Sequence, residues 1–283
     1  MVQNILQNMP PKIKRKGRLM SIKPTLDKIG RVDCLEITTN IGCPVNCRNL
    51  CPQDILLRRY EGPRLLSLDK FKEYLKSVPN SVEIVFSGFS EPFGNPEAIN
   101  MLEYASRNHR ISLFSTLMGA SEDSVKRLCH LQYRHFCIHV PDGVNCKIPL
   151  TPEYTRNFFY AVEHVRNAYF SLMNQNFKSN NRENIVRGAL PKPKPVQYCD
   201  LPYYPDFVLL PNGNLQLCCM DFGLEHTVGN LEKNSYDSIR KDFFKRNKKF
   251  NLCRYCSWNI SYLGGIMLIT GRAWKPNRWL KME

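Results

Sequence analysis

Cys-Leu-Glu-Ile-Thr-Thr-Asn, residues 34–40, is the stretch on which the fold prediction depends. Its apolar and β-branched residues predict a strand, and Glu36, Thr38 and Asn40 fall on one face of that strand because side chains alternate with a period of two. A loop opened by Ile41-Gly42 and rich in cysteine follows at once. We therefore expect a strand with one polar face that leads directly into a loop able to carry chemistry.

Strands and helices alternate after this segment. Periodicity predicts strands at Val82–Ser87, Ile111–Thr116, His135–Val140 and Ala168–Asn174, and helices at Ser67–Val78, Asn95–Asn108, Ser121–Leu131 and Thr151–Val165. Ser67 and Ser121 are the expected N-caps of their helices. Five strands interleaved with helices predict parallel βαβ units, and so an α/β fold that forms an open or closed barrel.

The predicted strand His135–Val140 has two different faces. Its alternation places Phe136, Ile138 and Val140 on one face and His135, Cys137 and His139 on the other. We expect the apolar face to pack under helices and the polar face to line an active site inside the barrel. The alternative is that these are ordinary hydrogen-bonded polar residues at strand ends.

A second unit follows a polar, proline-alternating stretch at Asn180–Pro195, which we expect to run extended as a linker. Beyond it, Asp206–Leu210 and Asn214–Cys218 flank the turn signal Pro211-Asn212-Gly213 and predict a β-hairpin, and Ser235–Asn247 predicts a helix. The expected organisation is a basic arm at 1–30, a barrel at 31–190 and a smaller unit at 191–283.

Composition limits the classes of protein to consider. The chain has 283 residues, of which 43% are hydrophobic, so it can bury a sizeable core. Lys plus Arg number 40 against 25 Asp plus Glu, and the resulting charge of +15 suits a phosphorylated, nucleotide-linked or polyanionic partner. No apolar run is long enough for a signal peptide or a membrane span, so we expect a cytoplasmic protein with reduced thiols and no membrane partner.

Three of the twelve cysteines, Cys43, Cys47 and Cys51, stand on the loop after the first strand with C-x3-C-x3-C spacing. Three thiolates on one short loop can converge on one centre. A structural zinc or an ordinary iron–sulfur cluster takes four ligands, so either a distant residue completes the set or an open position is required.

This arrangement resembles the radical S-adenosylmethionine (radical SAM) superfamily, in which three cysteines on the loop after the first barrel strand hold a [4Fe–4S] cluster that chelates SAM. The usual spacing there is C-x3-C-x2-C with an aromatic residue before the last cysteine. This chain has one extra residue in the second gap and Leu50 at the aromatic position. The resemblance implies a partial (β/α)6-type barrel and reductive cleavage of SAM to a 5′-deoxyadenosyl radical.

A second match implies the SAM-binding residues. Ser87-Gly-Phe-Ser-Glu-Pro92 resembles the family's Gly-Gly-Glu-Pro segment, which receives the SAM ammonium, with Ser90 in place of the second glycine. Gly88 is expected to let the backbone approach a ligand, and the Glu91 carboxylate to pair with the ammonium. Ser115, at the end of the third strand, and Arg187, near the end of the barrel, also match family elements near SAM.

Four more cysteines lie in the C-terminal unit: Cys199, Cys218, Cys253 and Cys256, the last two as C-x2-C. Four thiolates permit a closed tetrahedral site, and chemistry alone allows zinc or an iron–sulfur cluster. The surrounding order of hairpin, Cys-Cys-Met-Asp, helix and closing C-x2-C resembles the SPASM/Twitch extension of radical SAM enzymes, which implies an auxiliary [4Fe–4S] cluster in a small α+β unit. Cys218 is preferred over Cys219 by its distance from Gly213.

Five cysteines belong to neither set. Cys137 lies on the polar face of its strand and is a candidate hydrogen-atom donor. The others are expected to be small buried side chains without chemistry, and they are Cys34, Cys129, Cys146 and Cys219.

The resemblance also implies an activity. It points to a radical SAM oxidoreductase, similar to dehydrogenases of aminocyclitols, that oxidises an alcohol of an anionic sugar or cyclitol and receives electrons from a donor protein such as flavodoxin or ferredoxin. Epimerisation, with Cys137 donating a hydrogen atom, and peptide modification are alternatives. His139 is the candidate proton acceptor. A zinc-containing nucleic-acid-binding protein is an alternative of another class. Against it, the triad has no obvious fourth ligand, and nucleic acid is not the expected partner.

Overall fold

The computed structural model describes residues 33–47, 51–141, 143, 146–173, 206–246, 250 and 252. The strands in these ranges are β1 (Cys34–Ile37), β2 (Asn46–Cys47), β3 (Glu83–Phe86), β4 (Ile111–Ser115), β5 (His135–Pro141), β6 (Cys146–Lys147), β7 (Ala168–Met173), β8 (Asp206–Leu209), β9 (Asn214–Gln216) and β10 (Thr227–Asn230). The helices are α1 (Gln53–Arg59), α2 (Leu68–Leu75), α3 (Ala98–Ser106), α4 (Glu122–Leu128), α5 (Pro152–His164) and α6 (Tyr236–Arg246).

Eight of these strands form one sheet in the order β10-β9-β8-β1-β3-β4-β5-β7. The pairs from β8 through β7 are parallel, while β9 and β10 add an antiparallel hairpin edge. Among the described strands, the two outermost, β10 and β7, are not paired with each other, so the sheet is open. The predicted α/β fold of the partial-barrel type is therefore confirmed.

Helices α2 to α6 cover one face of the sheet. The alternate strand residues Ile37, Phe86 and Ile138 are almost fully buried there, against helix residues such as Phe71 and Tyr236. The side chains between them, including Glu36 and Cys137, therefore point to the opposite face. The two-faced character predicted for His135–Val140 is confirmed by the burial of its apolar residues in the helix-covered core.

The predicted elements are present, most of them with shorter bounds because regular backbone hydrogen bonding ends earlier, while β5 runs one residue beyond its predicted end, to Pro141. The Ser67 and Ser121 side chains cap α2 and α4 by accepting hydrogen bonds from the amides of Lys70 and Ser124. Helix α1, the small β2–β6 pair and strand β10 were not predicted, since none of them has a clear period.

The predicted hairpin after the linker is confirmed as β8–β9. The sequence did not indicate which strand of the sheet it pairs with. Strand β8 pairs in parallel with β1, from Cys34 opposite Asp206 to Ile37 opposite Leu209. The hairpin therefore extends the main sheet. The linker at 180–195 and the proposed boundary at 190 lie outside the described residues, so the division into domains stays a prediction. Among the described residues no helix is long and apolar enough to cross a membrane.

Candidate metal and cofactor site

The three cysteines of the triad lie beside the carboxyl ends of β1 and β3. Cys43 follows β1 on the loop, Cys47 ends β2, and Cys51 precedes α1. Residues 48–50 between the last two lie outside the described residues. The parallel pairing of β1 with β3 brings this loop next to the Ser87–Pro92 turn, because carboxyl ends of parallel strands share one edge of a sheet.

The sulfurs of Cys43 and Cys51 accept hydrogen bonds from nitrogen donors. The backbone amide of Glu91 donates to Cys43 Sγ across 3.2 Å, and Gln53 Nε2 donates to Cys51 Sγ across 3.4 Å. Such donors stabilise a thiolate and tune a metal that it binds. The arrangement is therefore suited to sulfur in its ligand form.

Gln53 connects the whole loop, and it is not among the residues that the sequence pattern singled out. Its Oε1 accepts from the backbone amide of Cys43 at 3.2 Å, and its Nε2 also donates to the carbonyl of Phe89 at 2.5 Å. One amide side chain thus contacts the start of the cysteine loop, the sulfur at its end and the turn after β3. Its position two residues after the last cysteine was the available sequence signal.

The electrostatics of the triad show that the three thiols are close enough to affect one another. Burial, followed by the charges of Cys51 and Glu91, raises the pKa of Cys43 to about 12. The pKa of Cys47 is also raised, first by a hydrogen bond with Cys146, then by burial and by the charges of its neighbours. A bound cation reverses this effect, since metal coordination deprotonates thiols outright.

The donor chemistry fits an iron–sulfur cluster. In the part of the chain that the structure describes, no three His, Cys, Asp or Glu side chains are arranged around a single ion. A [4Fe–4S] cluster uses cysteine thiolates, and hydrogen bonds to those sulfurs set its potential. Cys43 and Cys51 already receive such bonds.

The Gly88 backbone packs against the end of β1. Its φ is +54°, and a Cβ added there would lie 2.4 Å from Thr38 Oγ1 and 2.8 Å from the Thr38 backbone nitrogen. Its amide donates to Glu36 Oε2 at 3.1 Å. This close approach to the end of β1 requires glycine, and the predicted contact of Gly88 with a ligand stays a prediction.

The Glu91 side chain is buried and bonded within the protein. Its carboxylate accepts from Ser115 Oγ at 2.5 Å, from the amide and hydroxyl of Thr116 at 2.7 Å each, and from the amide of Phe93 at 3.4 Å. Burial raises its pKa, and these donors oppose that shift. Glu91 and Ser115 thus belong to one hydrogen-bonded cluster, and their predicted contacts with SAM stay predictions.

The Ser90 side chain differs from the Glu91 side chain beside it. Its Oγ is buried, and no hydrogen-bond partner for it lies within the described residues. Buried hydroxyls are normally satisfied, so an orphan points to a group that the structure does not contain. It lies beside the amide that contacts Cys43. The position fits an ammonium or hydroxyl ligand next to the triad.

The two candidate residues of β5 share the face opposite the helices. Cys137 lies across from Tyr169 in the β5–β7 pair, and burial raises its pKa to about 12 while the Tyr169 hydrogen bond opposes the shift. Burial lowers the pKa of His139 to about 4. At neutral pH, Cys137 is therefore a protonated thiol and His139 an uncharged imidazole. Arg187 lies outside the described residues.

In the C-terminal unit the structure describes Cys218 and Cys219, which lie in a turn after β9. Cys218 packs with Leu217, Met220 and Leu252, and its carbonyl accepts from the amide of Asp221 at 3.0 Å. Cys219 also contacts the cluster of Phe89 and Phe222 that borders Cys51. Cys199, Cys253 and Cys256 lie outside the described residues.

Asp221 holds this turn in place, although the sequence marked it only as the end of the Cys-Cys-Met-Asp segment. Its carboxylate accepts from the amides of Glu225 and His226 at 3.0 and 2.9 Å, and contacts His226 Nδ1 at 3.2 Å. Burial raises the pKa of Asp221, and these donors oppose the shift. The conformation of the Cys218–Cys219 turn therefore depends on one buried carboxylate.

Residues 199–257 match the family model of SPASM, an iron–sulfur cluster-binding domain. The chain carries a SPASM domain. The match contains all four cysteines of the predicted auxiliary set, and it confirms the predicted extension. No curated protein matches the sequence.

Solved structures with the same fold superpose over most of the chain. BtrN in complex with AdoMet and 2-DOIA superposes with a TM-score of 0.59 at 17% identity, covering 80% of this chain and 93% of BtrN. Selenomethionine BtrN in an open conformation superposes with a TM-score of 0.52 at 15% identity, covering 81% of this chain and 93% of that structure. Histidine-tagged anSMEcpe with bound AdoMet superposes with a TM-score of 0.50 at 12% identity, covering 85% of this chain and 93% of that structure. The predicted fold resemblance, to 2-deoxy-scyllo-inosamine dehydrogenase in particular, is confirmed at the level of fold by BtrN.

Proposed function

We propose that this SPASM-containing chain is a radical SAM oxidoreductase that oxidises an alcohol carbon of a sugar or cyclitol. The observation that carries the proposal is the contact between Cys43 Sγ and the Glu91 amide, which joins the cysteine loop to the turn after β3. The SPASM match and the BtrN-like fold support it.

Two sets of cysteines and one turn would hold the cofactors. Cys43, Cys47 and Cys51 would bind one [4Fe–4S] cluster, and Cys199, Cys218, Cys253 and Cys256 an auxiliary one. S-adenosylmethionine would lie against Ser90, with Gly88, Glu91, Ser115 and Arg187 around it. When bound, these groups supply a 5′-deoxyadenosyl radical that abstracts a hydrogen atom, together with an acceptor for the second electron.

The chain's own residues position and shield this chemistry. Gln53 and the Glu91 amide fix the sulfurs, while the buried Thr38 and Phe89 keep water from the turn that they contact. His139 is the proposed acceptor of the proton that an alcohol loses on oxidation; burial lowers its pKa to about 4, so it is uncharged at neutral pH but a weak base.

The substrate class rests on two supports. The BtrN structure that this fold matches contains 2-DOIA. The chain's charge of +15 favours an anionic substrate or an acidic electron donor such as flavodoxin or ferredoxin. Binding that weakens steeply with added salt would support that second inference.

An epimerase is the second candidate, and one observation favours it. Cys137 is a buried thiol with its pKa near 12, so it carries a hydrogen at neutral pH and faces the polar side of the sheet with Tyr169 opposite. An epimerase needs such a hydrogen donor. Replacing Cys137 by Ser would abolish epimerisation but leave alcohol oxidation intact.

The test begins with the anaerobically purified chain. We expect a brown protein with about eight irons per chain and release of 5′-deoxyadenosine from SAM under dithionite. Cys47→Ala should lose that release, whereas Cys129→Ser, at the end of α4, should retain it. A colourless zinc protein would contradict the proposal as a whole, and about four irons would contradict the two-cluster form.

The substrate is then identified by deuterium transfer. Sugars and cyclitols deuterated at one alcohol carbon at a time are incubated with the active enzyme, and 5′-deoxyadenosine is analysed by mass spectrometry. Deuterium in that product identifies the attacked carbon, and a ketone at the same carbon establishes oxidation. A product with inverted configuration and solvent hydrogen would instead establish epimerisation.

A further inference from the structure

Cys146 lies directly against the middle cysteine of the triad, although 99 residues separate them. Its Sγ is 3.2 Å from Cys47 Sγ, and its side chain is fully buried. The function proposed above assigns no part to Cys146. From its sequence it was expected to be a buried cysteine without chemistry.

The strand register holds the two residues opposite each other. β2 and β6 are antiparallel, with Cys47 paired to Cys146 and Asn46 to Lys147. Directly opposed residues in antiparallel strands have Cα atoms about 4.5 or 5.5 Å apart. Disulfides span Cα separations of about 4.4–6.8 Å. The backbone therefore allows a bond between these two sulfurs with only side-chain rotation.

The surroundings favour such a bond over two charged sulfurs. The pair is packed among Val45, Ile148 and Met173, which are apolar. Thiolates are disfavoured in an apolar site, whereas a disulfide is uncharged.

We propose that Cys47 and Cys146 form a reversible disulfide that removes Cys47 from the set of cluster ligands. The disulfide itself depends only on the β2–β6 geometry, while its effect on the cluster rests on the proposed function. A sulfur in a disulfide has no thiolate to offer iron, so the linked form and the cluster-bound form exclude each other. The disulfide also protects Cys47 from irreversible oxidation to sulfinic or sulfonic acid.

The oxidant is a low-molecular-weight disulfide such as oxidised glutathione. The thiolate of one cysteine attacks it and releases one glutathione, and the other cysteine then displaces the second glutathione from the mixed disulfide. Two protein thiols and one glutathione disulfide thus become one protein disulfide and two glutathione thiols. Excess dithiol reverses the reaction by the same steps.

The experiment uses the full chain after iron has been removed anaerobically with a chelator. Oxidised glutathione is added, remaining thiols are alkylated, and non-reducing peptide mass spectrometry is used to find cross-links. We expect one dominant link between the peptides of Cys47 and Cys146, lost on addition of dithiothreitol. Cys146→Ser should abolish the link, and the control Cys129→Ser should retain it.

Iron uptake provides the second readout. After oxidation, the wild-type chain should carry the link without bound glutathione and should incorporate iron and sulfide at the triad only when dithiothreitol is added, whereas oxidised Cys146→Ser, which lacks the second thiol, should stop at a glutathione adduct on Cys47. In the wild-type chain, a stable glutathione adduct on Cys47, or alkylation of both cysteines after oxidation, would overturn the proposal. If the link forms but no reduced variant takes up iron, the disulfide stands and the proposed function fails.

Discussion

The backbone amide of Glu91 donates a hydrogen bond to the sulfur of Cys43, so the turn after β3 contacts the cysteine loop after β1. On the other side of Glu91, its carboxylate accepts bonds from Ser115 and Thr116 at the end of β4. One residue therefore connects the carboxyl ends of three strands to the candidate metal site. The stability of this turn and the properties of the sulfur are coupled through it.

Glu91→Ala should lower the free energy of unfolding by about 3 kcal/mol, because it leaves the buried donors of Ser115 and Thr116 without an acceptor. Glu91→Gln retains one acceptor oxygen and should lose less. Urea denaturation of the three proteins measures the difference. Equal loss in the two variants would contradict the role of the carboxylate as an internal acceptor.

Gln53→Leu should make the midpoint potential of the triad cluster more negative by about 40 mV, because a hydrogen bond to Cys51 Sγ worth ~1 kcal/mol is lost. A redox titration followed by electron paramagnetic resonance measures the shift. The matched control is Asp54→Asn on the exposed side of the same helix, which should leave the potential unchanged. An unchanged potential in Gln53→Leu would exclude the contact.

Gly88→Ala should destabilise the protein more than Gly42→Ala. Both glycines have positive φ, but the new Cβ at Gly88 would lie 2.4 Å from Thr38 Oγ1, whereas at Gly42 the nearest atom is Leu57 Cδ2 at 3.4 Å. We expect a difference of about 2 kcal/mol in unfolding free energy. The φ of +93° at Gly42 is the more strained of the two for alanine. A larger loss of unfolding free energy in Gly42→Ala than in Gly88→Ala would mean that backbone strain outweighs packing, and it would contradict the packing argument.

Phe222→Leu should weaken the contact between the C-terminal hairpin and the turn after β3. The Phe222 and Phe89 rings are 4.5 Å apart and both are buried, so we expect a loss of about 1–2 kcal/mol. The nearby Arg59–Glu225 ion pair is about half exposed, and Arg59→Met should cost less than ~1 kcal/mol. Chemical denaturation of both variants tests which contact dominates.

His139→Gln should reduce the acid sensitivity of the fold. Burial lowers the pKa of His139 from 6.5 to about 4, so below pH 6.5 the unfolded chain binds a proton that the folded chain does not. Stability at this site is complete above pH 6.5 and falls as the pH drops toward 4. At pH 5.5 the wild type should lose about 1.4 kcal/mol that the variant keeps.

Denaturant midpoints at pH 7.5 and 5.5 measure this effect. His130→Gln, on the exposed end of the segment after α4, is the matched control and should behave as the wild type. If the His139 variant and the wild type lose equal stability between pH 7.5 and pH 5.5, His139 is not held uncharged by burial.

The amino-acid sequence alone determined most of the elements and the type of chemistry. Alternating hydrophobicity fixed the strands, serine caps fixed the starts of α2 and α4, and cysteine spacing separated a triad from a C-terminal set that the SPASM match contains. These signals are local, because each depends on residues a few positions apart. Periodicity was absent from α1, from the two-residue strands β2 and β6 and from the short strand β10, which is why they were missed.

The tertiary structure alone decided which distant residues meet. Nothing in the sequence places Cys146 against Cys47, β8 beside β1, or the Gly88 backbone against Thr38, because such contacts arise only when the sheet order is set by packing of the helices on one face. The roles of Gly88 and of the Glu91 carboxylate were inferred from their types but depend on their neighbours. The sequence determined which groups can do chemistry, and the fold determined which of them are already engaged inside the protein.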